Sequence, residues 1–340
     1  MKKLFFFTQG NDRIGHGHLM RCRSLAERVS EAFDCRFVLV QSPAELRAQL
    51  FAGFASLGFA SYSEALTYLA GQASPHDLVI IDSYEVTARA VQQLREQGLN
   101  TLAINDLPEQ ALPADWLLNH APGLRPEDFQ LSSPTRLLLG ARYLLLRKPF
   151  FEISDSPTPP RQDRMFVCFG GSDPEGLSLK VIRYLRESGM SLPLEILTNS
   201  PQTRDRIRAF QQEHQIEGIQ LHSRLDAEAI IALIQSCSLA VLPGSTIALE
   251  AMCVGIPLLT GYYVENQMRM AHNFGKLGLA LNVGDFRKMT ASAFVDSLKK
   301  IPREDQVARQ RQLFRQDQQN ILLTTLQHIT HEHHKRRPEV

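Results

Sequence analysis

Short apolar runs alternate with amphipathic stretches along the whole chain. Residues 4–7 (Leu4, Phe5, Phe6, Phe7) are apolar at every position, as in a strand covered on both faces. Leu19, Cys22, Ala26, Val29 and Phe33 recur at helical spacing, which predicts a helix over 18–33 with one core-facing stripe. The first half continues with strands over 36–40, 77–81, 102–104, 136–139 and 143–146 and a helix over 85–97. A second series follows, with strands over 165–169, 194–197, 219–221, 239–242 and 257–259. Helices over 175–188, 202–213, 227–235 and 246–253 separate them. Strands alternating with helices predict an α/β chain of two Rossmann-like, doubly wound halves with parallel sheets.

Between the two series lie Pro157, Pro159 and Pro160, in a stretch without period. Proline disrupts helices and sheet ladders alike, so residues 154–163 read as a linker. The expected domains are an N-terminal half over 1–153 and a C-terminal half over 164–325, with a polar tail over 326–340. A length of 340 residues suits two domains. Ligands of such folds bind at clefts, so a cleft between the halves is the expected site. The tail, with His331, His333 and His334, reads as a solvated and frayed terminus, since nothing fixes a metal-binding geometry there.

Composition narrows the function. Lys and Arg number 37 against 36 Asp and Glu, a net charge of +1, so neither nucleic acid nor an acidic membrane is implied as partner. The apolar start breaks off at Thr8 and Gln9, too early for a signal peptide, and no run approaches the roughly 18 residues of a membrane helix. Cys22, Cys35, Cys168, Cys237 and Cys253 are odd in number, lack a CxxC spacing and sit in apolar runs. A reducing, cytoplasmic setting is the simplest expectation. Protein partners are not specified.

Four motifs follow predicted strands. Gly15-His16-Gly17-His18 opens the first helix; its glycines permit a tight turn, and His18 falls at the helix start, where a general base could face a cleft. A solvent-facing histidine in an ordinary turn accounts for the spacing equally well, and His16 reads as a bystander. Gly170-Gly171-Ser172-Asp173-Pro174 offers backbone amides and a hydroxyl to a phosphate or sugar oxygen, or simply a capped turn with Asp173 as N-cap and Pro174 first in the helix. Gly244-Ser245-Thr246 at a helix start is an anion site by geometry, with Glu250 one turn on, where it could accept from ribose hydroxyls or simply face solvent. Asn266-Gln267 opens a later helix with side-chain amides suited to sugar substituents. Asp82-Ser83-Tyr84 and Asn105-Asp106 end strands in the first half and carry weaker signals. No ligand spacing in these motifs calls for a metal, and no cofactor is implied.

The order of these blocks, together with Met20-Arg21-Cys22 and Gly140-Ala141-Arg142-Tyr143, resembles the PseG/SpsG family of UDP-sugar hydrolases, related to the MurG-type GT-B glycosyltransferases. The resemblance spans about residues 1–285. It implies a GT-B fold and metal-independent hydrolysis of a UDP-linked diacetamido-trideoxy sugar to free sugar and UDP, in pseudaminic-type nonulosonic acid biosynthesis. His18 would activate water for attack at the anomeric carbon, with Tyr84 and Asn266 beside the sugar. Gly15, Gly17, Arg21, Asp82, Gly171, Ser172, Gly244, Ser245, Thr246, Glu250 and Gln267 would bind substrate, Ser245 and Thr246 at the phosphates and Glu250 at the ribose. The alternatives are an inverting GT-B transferase using a UDP-sugar donor, and a nucleotide-sugar-binding protein without catalysis. Phe7, Gln9, Ser83 and Asn105 stand where the family usually has Arg, Asp, His and Asp, and Pro149 where it has Glu. All but Pro149 lie in the first half, on the sugar side, and bear on which sugar is accepted.

Overall fold

The computed structural model describes residues 1–11, 17–131, 134–153, 161–314 and 320–336, with Gln110 and 332–336 described by backbone alone. Gly15, His16 and most of the expected linker, residues 154–160, lie outside the described residues. The chain forms two units, Met1–Lys148 with Asp317–Val340, and Pro149–Gln316.

In the first unit, strands β1 (Lys3–Gln9), β2 (Asp34–Val40), β3 (Ala55–Phe59), β4 (Leu78–Asp82), β5 (Asn100–Ile104), β6 (Trp116–Asn119) and β7 (Arg136–Leu139) form one parallel sheet, in the order β3-β2-β1-β4-β5-β6-β7. Helices α1 (Gly17–Val29), α2 (Ala44–Leu50), α3 (Tyr62–Gln72) and α4 (Ala88–Glu96) connect the first strands. The apolar start shows why both faces must be covered. Leu4 and Phe6 pack with Leu19, Cys22, Leu25 and Ala26 of α1, while Phe5 and Phe7 pack with Ala65 and Leu69 of α3 and Val91 and Leu94 of α4. After the short α5 (Lys148–Glu152), the second unit repeats the scheme. Strands β8 (Gln162–Val167), β9 (Leu194–Leu197), β10 (Ile219–His222), β11 (Cys237–Pro243), β12 (Leu258–Tyr262) and β13 (Leu281–Asp285) are parallel in the order β10-β9-β8-β11-β12-β13. Its helices are α6 (Leu177–Glu187), α7 (Pro201–His214), α8 (Ala227–Ser236), α9 (Thr246–Val254), α10 (Glu265–Lys276), α11 (Ala291–Lys299) and α12 (Arg303–Leu313).

The strand order reverses between β1 and β4 in one sheet and between β8 and β11 in the other. At such a switch point neighbouring connections leave on opposite faces, which opens a crevice at the carboxyl ends of the strands. The motifs at Gly17-His18, Gly170-Gly171 and Gly244-Ser245 follow β1, β8 and β11, Asp82 ends β4, and Asn266-Gln267 follows β12.

Several expectations need correction. The chain end is not frayed over 326–336: α13 (Ile321–Arg336) places Leu322, Leu326 and Ile329 in the core of the first unit, so the second unit ends at Gln316 rather than 325. Their spacing puts all three on one helix face. Gln162 and Asp163, assigned to the linker, begin β8. Residues 143–146 are not a strand; Gly140 turns at φ 90° and a 3₁₀ turn over Ala141–Tyr143 follows. Helix α6 begins at Leu177, not at Pro174, because Gly176 takes a left-handed conformation before it. Asp173 still serves that helix from outside, its carboxylate accepting the N–H groups of Leu177 (2.8 Å) and Ser178 (3.0 Å).

Candidate active site

At the carboxyl edge of the first sheet, α1 presents His18, Arg21 and Cys22 on one face, the i, i+3 and i+4 positions, toward Asp82 at the end of β4. His18 Nδ1 lies 2.6 Å from Asp82 Oδ1. Arg21 donates from Nε to Asp82 Oδ2 at 2.6 Å and from one terminal nitrogen to Asp82 Oδ1. Its other terminal nitrogen donates to both carboxylate oxygens of Asp106, at 2.7 and 2.8 Å. The Tyr84 hydroxyl donates to Asp106 Oδ2 (2.9 Å), and its ring meets His18 edge-to-face with centroids 4.6 Å apart. Asp82 is completely buried and His18 is 6 % exposed, among charged partners rather than apolar packing. Tyr84 is open to solvent.

Burial alone would raise the Asp82 carboxyl, but the Arg21 guanidinium and the hydrogen bonds the carboxylate accepts from its neighbours hold it well below the usual carboxylate range. Asp106 shows the same balance, with burial opposed chiefly by Arg21. Both carboxylates are therefore ionised at neutral pH. Beyond β6, burial and then Arg21 lower the His120 imidazole to about 4. The Leu145 N–H donates to His120 Nδ1 at 3.1 Å, which leaves the proton of the neutral ring on Nε2. An unfolded histidine protonates near 6.5, so the unfolded chain takes up more protons between that pH and about 4. Stability from His120 is thus complete above about pH 6.5 and is lost as pH falls through about 4, by on the order of 3 kcal/mol. Urea unfolding of wild type and His120→Asn across this window checks it: the variant's profile flattens, whereas superimposable pH profiles would exclude His120 as the titrating group.

In the second unit, the segments after β8 and β11 lie side by side, since those strands pair through Val167 and Val241. Gly171 and Ser172 are exposed there. Gly244 must be glycine: a Cβ would stand 2.5 Å from Ala271 N and 2.7 Å from Gln267 O of α10. Ser245 is the N-cap residue of α9 yet gives it no side-chain cap; its hydroxyl lies 3.5 Å from the Pro243 carbonyl. By contrast Ser61, Thr87, Ser200, Asp226 and Thr290 each cap their helices by side chain. The start of α9 therefore keeps its positive end without an oxygen from Ser245 on it, an arrangement suited to an anion. Glu250, one turn on, is buried instead of facing solvent. Asn266 is exposed in the first turn of α10, and the Gln267 amide oxygen accepts the Tyr263 N–H (3.2 Å).

The structure thus brings His18, Tyr84, Arg21 and Asp82 together in the first unit, with Gly17 opening α1. In the second it places Gly171 and Ser172 after β8, Gly244, Ser245, Thr246 and Glu250 after β11, and Asn266 and Gln267 after the neighbouring β12. Arg21 and Asp82, expected to bind substrate, are buried and engage protein partners. Gln267 likewise uses its amide oxygen within its own loop. Asp106 is the residue that sequence reasoning undervalued. Its signal was the position two residues past the end of β5, beside the strand that carries Asp82. Among the described residues no group of three or more His, Cys, Asp or Glu is arranged to hold a metal ion, and no helix is long and apolar enough to cross a membrane.

No protein-family model matches the chain. Solved structures similar along nearly its whole length include Acinetobacter baumannii MurG, with TM-score 0.64 and 13 % identity over 96 % of this chain and 99 % of that one. Another is a UDP-glucosyltransferase from Polygonum tinctorium, with TM-score 0.65 and 12 % identity over 97 % and 99 %. These likenesses and the two reversed parallel sheets define the GT-B fold. Among curated proteins, the UDP-2,4-diacetamido-2,4,6-trideoxy-beta-L-altropyranose hydrolase of Campylobacter jejuni is 24 % identical over 281 residues, 81 % of this chain and 97 % of the relative. The spore coat polysaccharide biosynthesis protein SpsG of Bacillus subtilis is 23 % identical over 288 residues, 82 % of each. In sequence the chain is thus similar to PseG/SpsG-type proteins, and in fold to GT-B glycosyltransferases.

Proposed function

We propose that the protein acts on a UDP-linked sugar and hydrolyses a UDP-diacetamido-trideoxy sugar to the free sugar and UDP. The observation that carries this reading is the 2.6 Å pair of His18 with the buried, ionised Asp82. An Nδ1–H donated to Asp82 leaves Nε2 as the proton acceptor, the tautomer a general base needs. Water loses a proton to Nε2 as its oxygen bonds to the anomeric carbon, and the bond from that carbon to the phosphate oxygen breaks. The imidazolium that forms is matched by Asp82, and Tyr84 fixes the ring from its edge. The start of α9 takes the diphosphate, whose growing charge on departure is met by the helix end and the Ser245 and Thr246 hydroxyls. Glu250 is assigned to the ribose and Asn266 to a sugar substituent. The similarity to the Campylobacter jejuni hydrolase supports this choice of reaction and substrate.

Incubation with UDP-diacetamido sugars and with UDP-N-acetylglucosamine, followed by UDP assay, tests the reading. UDP is released in buffer from a diacetamido donor if the protein is a hydrolase. Release only after adding a sugar acceptor would make it a transferase, and binding without release a nucleotide-sugar-binding protein. Gly244→Ala is expected to weaken UDP binding at least about tenfold by pushing the loop off α10, with a stability loss of about 1–3 kcal/mol. Calorimetric titration with UDP and thermal unfolding measure both.

A further inference from the structure

A second polar chain runs beside the His18 cluster. The Glu85 N–H donates to Ser83 Oγ at 3.1 Å, Ser83 Oγ lies 2.9 Å from the Tyr62 hydroxyl, and that hydroxyl donates to the Gln9 amide oxygen. The chain ties together the end of β1, the first residue of α3 and the turn that follows β4. With the Tyr62 proton on Gln9, the Ser83 hydroxyl proton points to Tyr62, beside the Glu85 side chain. Burial pushes the Tyr62 phenol up to about 12, so it remains a donor across the working pH range.

Two features show that this relay is more than packing. It grips residues 83 and 85 and so brackets Tyr84, the residue whose ring meets His18 and whose hydroxyl binds Asp106. Its far anchor is also a poor stabiliser: Gln9 is completely buried, yet its amide nitrogen finds no hydrogen-bond partner among the described residues. A buried donor left unpaired costs stability that an apolar side chain of the same length would not. A residue that breaks a stability rule in this way beside a reaction centre points to a functional constraint.

We infer that Tyr62, anchored by Gln9 and acting through Ser83, is a positioning residue that holds the Tyr84 turn so that Tyr84 fixes the His18 imidazole. The inference rests on the proposed role of His18 and Tyr84. Tyr62→Phe removes only the hydroxyl and keeps the ring that packs edge-on against Phe7. It is expected to lower kcat for UDP release roughly ten- to hundred-fold with KM unchanged, as misplacement of a catalytic group does. In a Tyr84→Ala background it should cost nothing further, because the element it positions is gone. The His18 ring resonances, shifted by the Tyr84 ring current, should move in Tyr62→Phe in the direction they move in Tyr84→Ala. Gln9→Met should lower kcat while leaving the melting temperature unchanged or raised. Full additivity with Tyr84→Ala, or His18 resonances that stay in place in Tyr62→Phe, would overturn the inference. If the wild-type protein releases no UDP from any donor, the functional reading fails, and the resonance experiment still decides whether Tyr62 positions the ring.

Discussion

His18→Ala should reduce UDP release about a hundred- to ten-thousand-fold, the usual contribution of a positioned general base, while UDP affinity stays within about twofold of wild type. The separation follows from where the groups lie. His18 sits on α1 of the first unit, whereas Gly244, Ser245 and Thr246 belong to the second. Single-turnover release and calorimetric titration with UDP measure the two effects independently. A parallel loss of UDP binding would move His18 out of the catalytic role. Asp82→Asn is a milder probe of the same arrangement, because it keeps the shape but lets the imidazole adopt the wrong tautomer.

Arg21→Met should be the most destabilising single change in the first unit. One guanidinium serves two carboxylates, and both lie in the protein with little access to water. Removing it leaves Asp82 and Asp106 facing each other without a cation, and breaking a buried pair in this way costs about 3 to 5 kcal/mol. The sign of the pH response is distinctive. In the wild type both carboxyls are held below their usual range, so their stabilisation is present above that range and lost as pH falls through the depressed values. In the variant the carboxyls rise above their usual range instead, and the deficit shrinks on acidification as they take up protons. Chemical denaturation at neutral and mildly acidic pH distinguishes this from simple loss of packing, which would give the same deficit at both.

The sheet cores were easy to read because their strands are buried on both faces and appear as unbroken apolar runs. Residues 4–7 and 239–242 are the plainest cases, and β7 and β9 keep their expected limits. The segment from Ala44 to Gln72 was silent for the opposite reason. Helix α2 buries no residue, β3 is an edge strand with no buried position, and α3 buries only Ala65 and Leu69. Such elements carry no periodic apolar signal for sequence reading to detect. The last thirty or so residues read as polar and helix-prone, but where that helix packs is not legible, because its three core residues are diluted by threonine, glutamine and histidine.

The candidate site divides along the same line. Glycine-rich turns after strands identify themselves by composition, so His18, Gly171, Gly244 and Ser245 stand out as candidates from local spacing alone. The partnership of His18 with Asp82 is not local, since the two residues are 64 apart in the chain. It depends on β4 lying next to β1 rather than beyond β3, a fact of sheet order. The same non-local step turns Arg21 from a ligand-binding candidate into the brace of two carboxylates, and it lifts Asp106 and Tyr62 from obscurity.

The most direct test of the central claim is hydrolysis in water enriched with oxygen-18, with mass analysis of both products. If the His18-activated water attacks the anomeric carbon, the label enters the free sugar and UDP carries none. Label in the UDP phosphate would mean attack at phosphorus and would contradict the account.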